Sequence, residues 1–450
     1  MDANLLDLAE LAIKKADSLG ANETEAYTVR VSEKSLSLRR GSIEVSKAGS
    51  IIGLAIRVSC NEKVSLAGGV VSSSSDVEKL AEKVMAMCRA QSELEAWRGL
   101  PRGLSSSRPE GTYDKVIAEI TLNGLAELAN QLVSEVAEIS DKKVEVARGS
   151  LHTSSIARLV INSQMEKVFE EATYLFVSAE GVSRDVGLES AFWNTSSARR
   201  LQDLDLKAFV DHLVERTLAG LKRAKCESGS QQVLLAPRVS ASVLDALLAP
   251  AVSALSIQKK RSPLFNKVGQ EVFSDQVTVI DDPTLEAMFG SRGFDDEGVR
   301  TRRKNVIERG VFKTPLYDTW TARVDETEST GNAVRVKISS MPEPGPLNLI
   351  LEPGDKSFES LVQEVRKGLV VYGVIGEWLS DYTRGYLNAT IVNADCVIDG
   401  EVKGAIVSGM LSGDFYEMLR LKLIAKSREL NNVGVVYAPA LLLDEVKVTL

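Results

Sequence analysis

Apolar residues recur along this chain in two regimes, one with the period of a helix and one with the period of a strand. A first helix is expected after an Asp2 or Asn4 cap, because Leu5, Leu8, Leu11, Ala12 and Ala16 share a side and Gly20 offers a stop. From Glu25 to Val70 the pattern shortens to strand-like runs, EAYTVRV, SLSLR, SIEVS and IIGLAIRVS, with turn positions at Arg40-Gly41 and Ala48-Gly49. These runs predict an antiparallel meander with one covered face. Ser72 to Ser75 forms a polar break before a second helix, whose stripe of Val77, Leu80, Ala81, Val84, Met85 and Cys88 assigns Cys88 to core packing.

Ala96 to Gly111, with Pro101 and Pro109, reads as a surface connection. A third amphipathic segment follows on Leu122, Leu125, Ala126, Ala129, Leu132, Val133 and Val136, and then strands in KKVEVARG, SSIARLVINS and ATYLFVSAEG. The first half therefore reads as two loosely repeated helix-plus-strand modules. Asp203 to Lys222 is helical in pattern, with Leu206, Phe209, Val210, Leu213, Val214 and Leu221 facing inward. After the spacer CESGSQQ, near Gly229, the pattern changes. QVLLAP reads as a buried strand, SASVLDALLAPAVSALSI as an apolar helix interrupted near Pro250 and QVTVIDD as another strand; GPLNLILEP and YGVIGEWL then separate helices and strands, and ATIVNADCVIDG, EVKGAIVSG and VGVVYAPALLLDEVKV continue a strand-rich reading. The expected fold class is α+β, with antiparallel strand-rich modules and packed helices, divided into domains at 1–225 and 226–450.

Composition narrows the function classes. The 450 residues carry 54 Lys and Arg against 62 Asp and Glu, a formal charge of -8, which gives no support to a large nucleic-acid footprint. The start, MDANLLDLAE, lacks the basic and apolar regions of a secretory signal, and no later run approaches about 18 uninterrupted apolar residues. The expectation is a cytoplasmic protein with no membrane and no nucleic-acid partner. Cys60, Cys88, Cys226 and Cys396 are scattered without a CxxC pair and read as ordinary buried thiols.

Only two histidines, His152 and His212, occur in the chain, 60 positions apart. A catalytic zinc usually needs three N, S or O ligands and an open position, so the shortage constrains mechanism. Both are expected in ordinary hydrogen-bonding roles, His212 at the surface or at a helix boundary. HExxH, Walker A, GxSxG and GxGxxG patterns are absent. The most polar constellation is GSRGFDDEGVRTRR, where Asp295, Asp296 and Glu297 could hold a divalent ion, although a charged structural turn accounts for them too. Asp281 and Asp282 carry the same ambiguity. ETESTGNAVRV places Gly331 and Asn332 in a polar loop, and DYTRGYLNA contributes Arg384 and Gly385 without a complete nucleophile-base-acid set.

The stretch KKRSPLFNKVGQEVFSDQVTVIDDPTLEAMFGSRGFDDEGVRTRRKNVIERGVFK, followed by TARVDETESTGNA, resembles the C-terminal core of the TldD/PmbA family. The resemblance extends to RRGSIEVSKAGSIIGLAIRV near the amino terminus and lies closer to the TldE/PmbA branch. It implies a two-domain TldD/PmbA-like fold and a cytosolic proteolytic complex of two related subunits. In the TldD-like subunit an HExxxH helix and a cysteine hold zinc, and the glutamate acts as general base. The TldE-like partner is catalytically deficient and helps enclose the path of an unfolded peptide. Aligned on that helix, the histidine positions fall at Ala246 and Ala251 and the glutamate position at Leu247, and Cys396 lacks histidine partners. The resemblance thus implies no metal or cofactor in this chain, with Zn2+ in a TldD-like partner. Asp295, Asp296, Gly331, Asn332, Arg384 and Gly385 become candidates for partner or peptide contact. Two other readings stay open: a metal-dependent hydrolase built on Asp295, Asp296 or Glu297, and a peptide-binding homodimer without enzymatic activity.

Overall fold

A computed structural model describes residues 2–94 and 96–450. Helix α1 (Ala3–Ser18) starts where the Asp2 carboxylate accepts the Asn4 and Leu5 N–H groups, and it buries Leu5, Ala9, Ala12, Ile13 and Ala16. It is followed by β1 (Glu23–Arg39), β2 (Ser42–Cys60), β3 (Lys63–Val70) and α2 (Ser74–Ala90). Ser73 and Asp76 form a reciprocal capping box at the start of α2, and Cys88 lies buried on its inner stripe as expected. After a short α3 (Lys115–Glu119), the order repeats as α4 (Leu122–Ile139), β4 (Glu145–Asn162), β5 (Lys167–Asp185), β6 (Leu188–Ala198) and α5 (Leu206–Ala219).

The six strands form one antiparallel sheet in the order β3-β2-β1-β4-β5-β6. Two helix-strand-strand-strand-helix units therefore meet through their first strands, which matches the repeat read from the sequence. Alternation along the strands gives the sheet two faces. Ala26 and Leu36 of β1 pack under the four long helices. Tyr27 and Val29 of the same strand face the other way and meet Phe294 from the second half of the chain.

Two local expectations fail. Ala48-Gly49 is not a turn, because β2 pairs with β1 straight through Glu33↔Gly49 and Lys34↔Ala48. The turn is at Arg40-Gly41, both with positive φ. The segment 96–111 is also more than a surface connection. It buries Trp97 and Leu100, and the Ser107 N–H donates to the Gly293 carbonyl at 2.9 Å.

The second half contains β7 (Gly229–Leu235), α6 (Pro237–Leu247), α7 (Ala254–Gln258), β8 (Val279–Asp281), β9 (Lys304–Glu308), β10 (Val311–Phe312), α8 (Thr319–Val324), β11 (Ala333–Val334), β12 (Glu343–Pro344) and β13 (Leu349–Leu351). It continues with α9 (Phe358–Glu364), β14 (Lys367–Ile375), β15 (Tyr386–Ile398), β16 (Glu401–Ile406), β17 (Gly409–Asp414), β18 (Leu423–Val433) and β19 (Val436–Thr449). All of these strands except β11 and β12, which pair with each other, make an eleven-stranded sheet, and β7 pairs with both β14 and β19. The path β7-β14-β15-β17-β19 therefore closes on itself, and the largest core gathers α6 with these strands.

Cys226 and Cys396 form a disulfide between the segment before β7 and the middle of β15, so these two are not the free buried thiols the sequence suggested. Their separation of 170 residues hides the pairing from any spacing rule. The two sheets are also joined by buried charge. Arg216 on α5 makes two 2.8 Å bonds to the Asp395 carboxylate on β15 while lying over the Tyr372 ring.

Candidate functional site

Helix α6 begins directly after β7, with Pro237 at its first turn, where a missing N–H costs no helical bond. Val239, Ala241, Val243, Leu244 and Leu247 are buried, and the helix stops before Pro250. Of the three positions aligned with a zinc-binding helix, Leu247 and Ala251 are fully buried and Ala246 packs partly buried against the same core. The Ala251 carbonyl accepts the Ser262 hydroxyl at 2.7 Å. These side chains offer no metal donor and no base. Cys396 is tied to Cys226 and presents no thiolate. Among the described residues, no three His, Cys, Asp or Glu side chains are grouped to hold a metal ion.

The histidines lie elsewhere and apart. His152 sits on β4 with Nε2 3.6 Å from a Glu33 carboxylate oxygen, beyond a good hydrogen bond, so the ordinary pairing expected for it is incomplete. His212 is neither at the surface nor at a helix boundary. It lies within α5, edge-on to Phe192 with ring centroids 5.3 Å apart, and lines a cavity between the two halves. Burial, and then the charge of Arg216, pulls its pKa down to about 4 from 6.5. The unfolded chain therefore takes up a proton that the folded chain resists. The resulting stability is fully present above the unfolded value and is lost as pH falls from about 6.5 toward about 4, up to roughly 3 kcal/mol. His212→Phe should shrink the fall in melting temperature between about pH 7 and pH 4.5. Equal falls in both proteins would show that the ring is not held neutral by the fold.

The acidic stretch is inside the molecule, on the face of the first sheet opposite its helices. Asp295, Asp296 and Glu297 are 0%, 4% and 1% exposed. Asp295 accepts the N–H groups of Glu297, Val299 and Ala333 at 2.9 to 3.0 Å. Asp296 pairs with Arg292 and accepts the Arg335 N–H at 2.7 Å. Glu297 accepts Arg57 at 2.6 Å and the Thr319 N–H at 2.8 Å. Arg57 also pairs with Glu25 on the neighbouring strand, and Glu25 takes Arg335 at 2.7 Å. Burial opposes charge on Asp295, Asp296, Glu297, Arg57 and Arg292. Burial is the largest single influence on both Asp296 and Glu297, but the Arg292 and Arg158 charges with hydrogen bonds from Arg292 and Arg335 together outweigh it for Asp296, and the Arg57 charge with hydrogen bonds from Thr319 and Arg57 does so for Glu297, holding both below the usual carboxylate range. Burial and the Glu297 charge instead push Asp295 and Asp318 up. The carboxylates converge on guanidinium and backbone N–H groups rather than on an open coordination position, which removes the main structural support for a hydrolase built on them.

Asp281, likewise fully buried, binds Lys304 at 2.8 Å and the Leu347 and Asn348 N–H groups. Asn332 donates to this carboxylate at 2.8 Å, so Asn332 is a strut. Gly331 has φ +71°, and a Cβ there would lie 2.6 Å from the Arg300 carbonyl oxygen, so glycine is required by both conformation and space. Gly385 is buried against Tyr416, whereas the Arg384 side chain is 84% exposed. Of the six contact candidates, Arg384 is the one the fold leaves on the surface. The sequence reading missed Glu25, Arg57 and Arg335, the distant partners of the acidic stretch. The KAGSIIGLAIRVS run holds a charge at Arg57 amid apolar residues, a signal that something buried pairs with it.

An α+β scaffold of two large sheets, with the short helix α6 packed by its apolar side into the core of the second half, defines the class: a metallopeptidase-like fold in which no three His, Cys, Asp or Glu side chains group to hold a metal among the described residues. The sequence model for the PmbA/TldA metallopeptidase C-terminal domain matches residues 228–450, and that for PmbA/TldA metallopeptidase domain 1 matches residues 24–88. The chain belongs to this TldD/PmbA family. A metalloprotease of Methanocaldococcus jannaschii is 26% identical over 402 residues, covering 88% of each chain. A second, uncharacterized protein of that organism is 27% identical over 415 residues, covering 92% of this chain and 94% of its own. The crystal structure of TldE from Thermococcus kodakarensis is similar with a TM-score of 0.89 and 26% identity, over 98% of this chain and 100% of that one.

Proposed function

We propose that this chain is a catalytically deficient, TldE-like subunit that supports the processing or degradation of unfolded peptides by a TldD-like zinc metallopeptidase. The observation that carries the reading is Ala246 and Leu247 at the end of α6 and Ala251 in the turn after it, in place of histidine, glutamate and histidine, with Leu247 and Ala251 fully buried in the core. Zinc and the general base then come from the partner, and this chain supplies scaffold and surface, with Arg384 a contact candidate. The working division is an N-terminal domain at 1–225 and a C-terminal domain at 226–450. No helix among the described residues is long and apolar enough to cross a membrane, and the proposed location is the cytoplasm.

One observation favours a second reading, a peptide-binding homodimer. The outer edge of β2 from Ser42 to Ile51 has no strand partner among the described residues, because β3 begins pairing at Gly53, and a free edge can accept an extended segment. The two readings separate by peptide cleavage with this chain alone, with an HExxxH-bearing relative alone and with an equal mixture, each before and after zinc removal and restoration. We expect no cleavage by this chain alone and zinc-dependent cleavage that rises at least several-fold on mixing. Zinc-dependent cleavage by the isolated chain would reject the deficient assignment. Unchanged activity on mixing, with no mixed complex by light scattering, would reject the partnership.

A further inference from the structure

Where β6 and α5 of the first half meet α6, β14 and β15 of the second, two cavities of about 290 and 630 Å3 share Phe192, Arg238 and Tyr372 as walls. Two opposite charges face this space without neutralising each other. Glu377 is 8% exposed, and its Oε1 accepts the Ser242 hydroxyl, but its Oε2 has no hydrogen-bond partner. A buried carboxylate oxygen left unpaired is costly, and native structures usually satisfy such atoms with protein, water or ligand. Arg238 makes one hydrogen bond, a long one of 3.4 Å to the Asn432 carbonyl. Burial lowers its pKa and the Glu377 charge pushes it back, so the two groups sense one another, yet no ion pair joins them.

This geometry selects a ligand class. A bare cation would meet Arg238 and lacks a third ligand, since no metal-holding group forms here. A phosphate or sulfate would be repelled by Glu377. A molecule carrying both charges satisfies both walls, with charge-assisted hydrogen bonds at each end. The smaller space lies at the lower limit of ligand pockets, about 300 Å3, and Trp193 adds a further aromatic wall. We propose that this junction binds a free α-amino acid with an apolar side chain, its ammonium group on Glu377 Oε2, its carboxylate on Arg238 and its side chain among Phe192, Trp193 and Tyr372. The site lies at the first turn of α6, so an occupant would bridge the degenerate helix to the first domain.

The test is calorimetric titration of the full chain alone with L-leucine, L-isoleucine and L-phenylalanine, against N-acetyl-L-leucine, which lacks the ammonium, and L-leucinamide, which lacks the carboxylate. Saturable one-to-one binding is expected for at least one of the free amino acids, with both blocked leucines about tenfold weaker or more. Glu377→Gln should weaken the free amino acid by a similar factor while restoring the acetylated one to near parity. If that variant fails to fold, the comparison of blocked and free ligands on the unaltered chain decides alone. No saturable binding up to about 10 mM, or equal binding of free and blocked forms, would overturn the site. Because no partner or cleavage enters this measurement, its failure leaves the peptidase-subunit reading standing, and the reverse holds too.

Discussion

Arg57→Met should destabilise the protein by about 3–5 kcal/mol, read as a lower midpoint in urea with separation of the two domains' unfolding transitions. The guanidinium is 3% exposed and is shared between Glu25 of the first sheet and Glu297 of the second half. Burial alone would lower its pKa, but the two carboxylates raise it well above its ordinary value. Removal leaves Glu297 buried with only the Thr319 N–H as a donor, while Glu25 keeps Arg335. Adding Glu297→Gln should therefore recover part of the loss, because the stranded charge is gone. If the single variant loses less than about 1 kcal/mol, the pair is behaving as an exposed ion pair and the junction is wetter than the packing indicates.

That cluster also marks the boundary of what the sequence can disclose. The helices α1, α2, α4 and α5 were legible because each closes its own pattern within four turns, as Val77, Ala81, Val84 and Cys88 do on α2. Strand lengths were not. SIEVS and IIGLAIRVS read as two strands because Ala48 and Gly49 have turn chemistry, yet the ladder with β1 runs through them, and pairing decides a strand more than local preference does. Asp295 to Glu297 do lie in a charged turn, as read, but the partners that bury it were hidden. Their own segment shows glycines and arginines, whereas Arg57 lies 240 residues from Glu297. Cys226 and Cys396 were hidden in the same way, by a separation of 170 residues. The proposed degenerate positions could be named from the sequence because Ala246, Leu247 and Ala251 are read by identity within one short segment, with no distant partner needed.

The largest effect is expected from rebuilding that helix as an active one. In the triple variant Ala246→His, Leu247→Glu, Ala251→His the catalytic string is present, but the positions pack into or against the core. Leu247 is fully buried among apolar side chains, with Leu244 and Leu248 beside it in sequence. A carboxylate placed there has no charged partner, so it either stays protonated at neutral pH or forces water into the core, at about 5 kcal/mol or more. An imidazole at Ala251, which is also fully buried, adds overpacking of about 1–3 kcal/mol. The variant should be recovered largely unfolded, as judged by near-ultraviolet circular dichroism, and without stoichiometric zinc by elemental analysis. Leu247→Met, which keeps the volume and polarity, should cost less than about 1.5 kcal/mol and serves as the control. A folded triple variant that binds one zinc per chain would mean that only ligands separate this chain from a peptidase. The expected failure would mean that the surrounding core is packed around leucine and alanine, so that the proposed lack of zinc chemistry rests on the whole environment of these positions and not on three side chains.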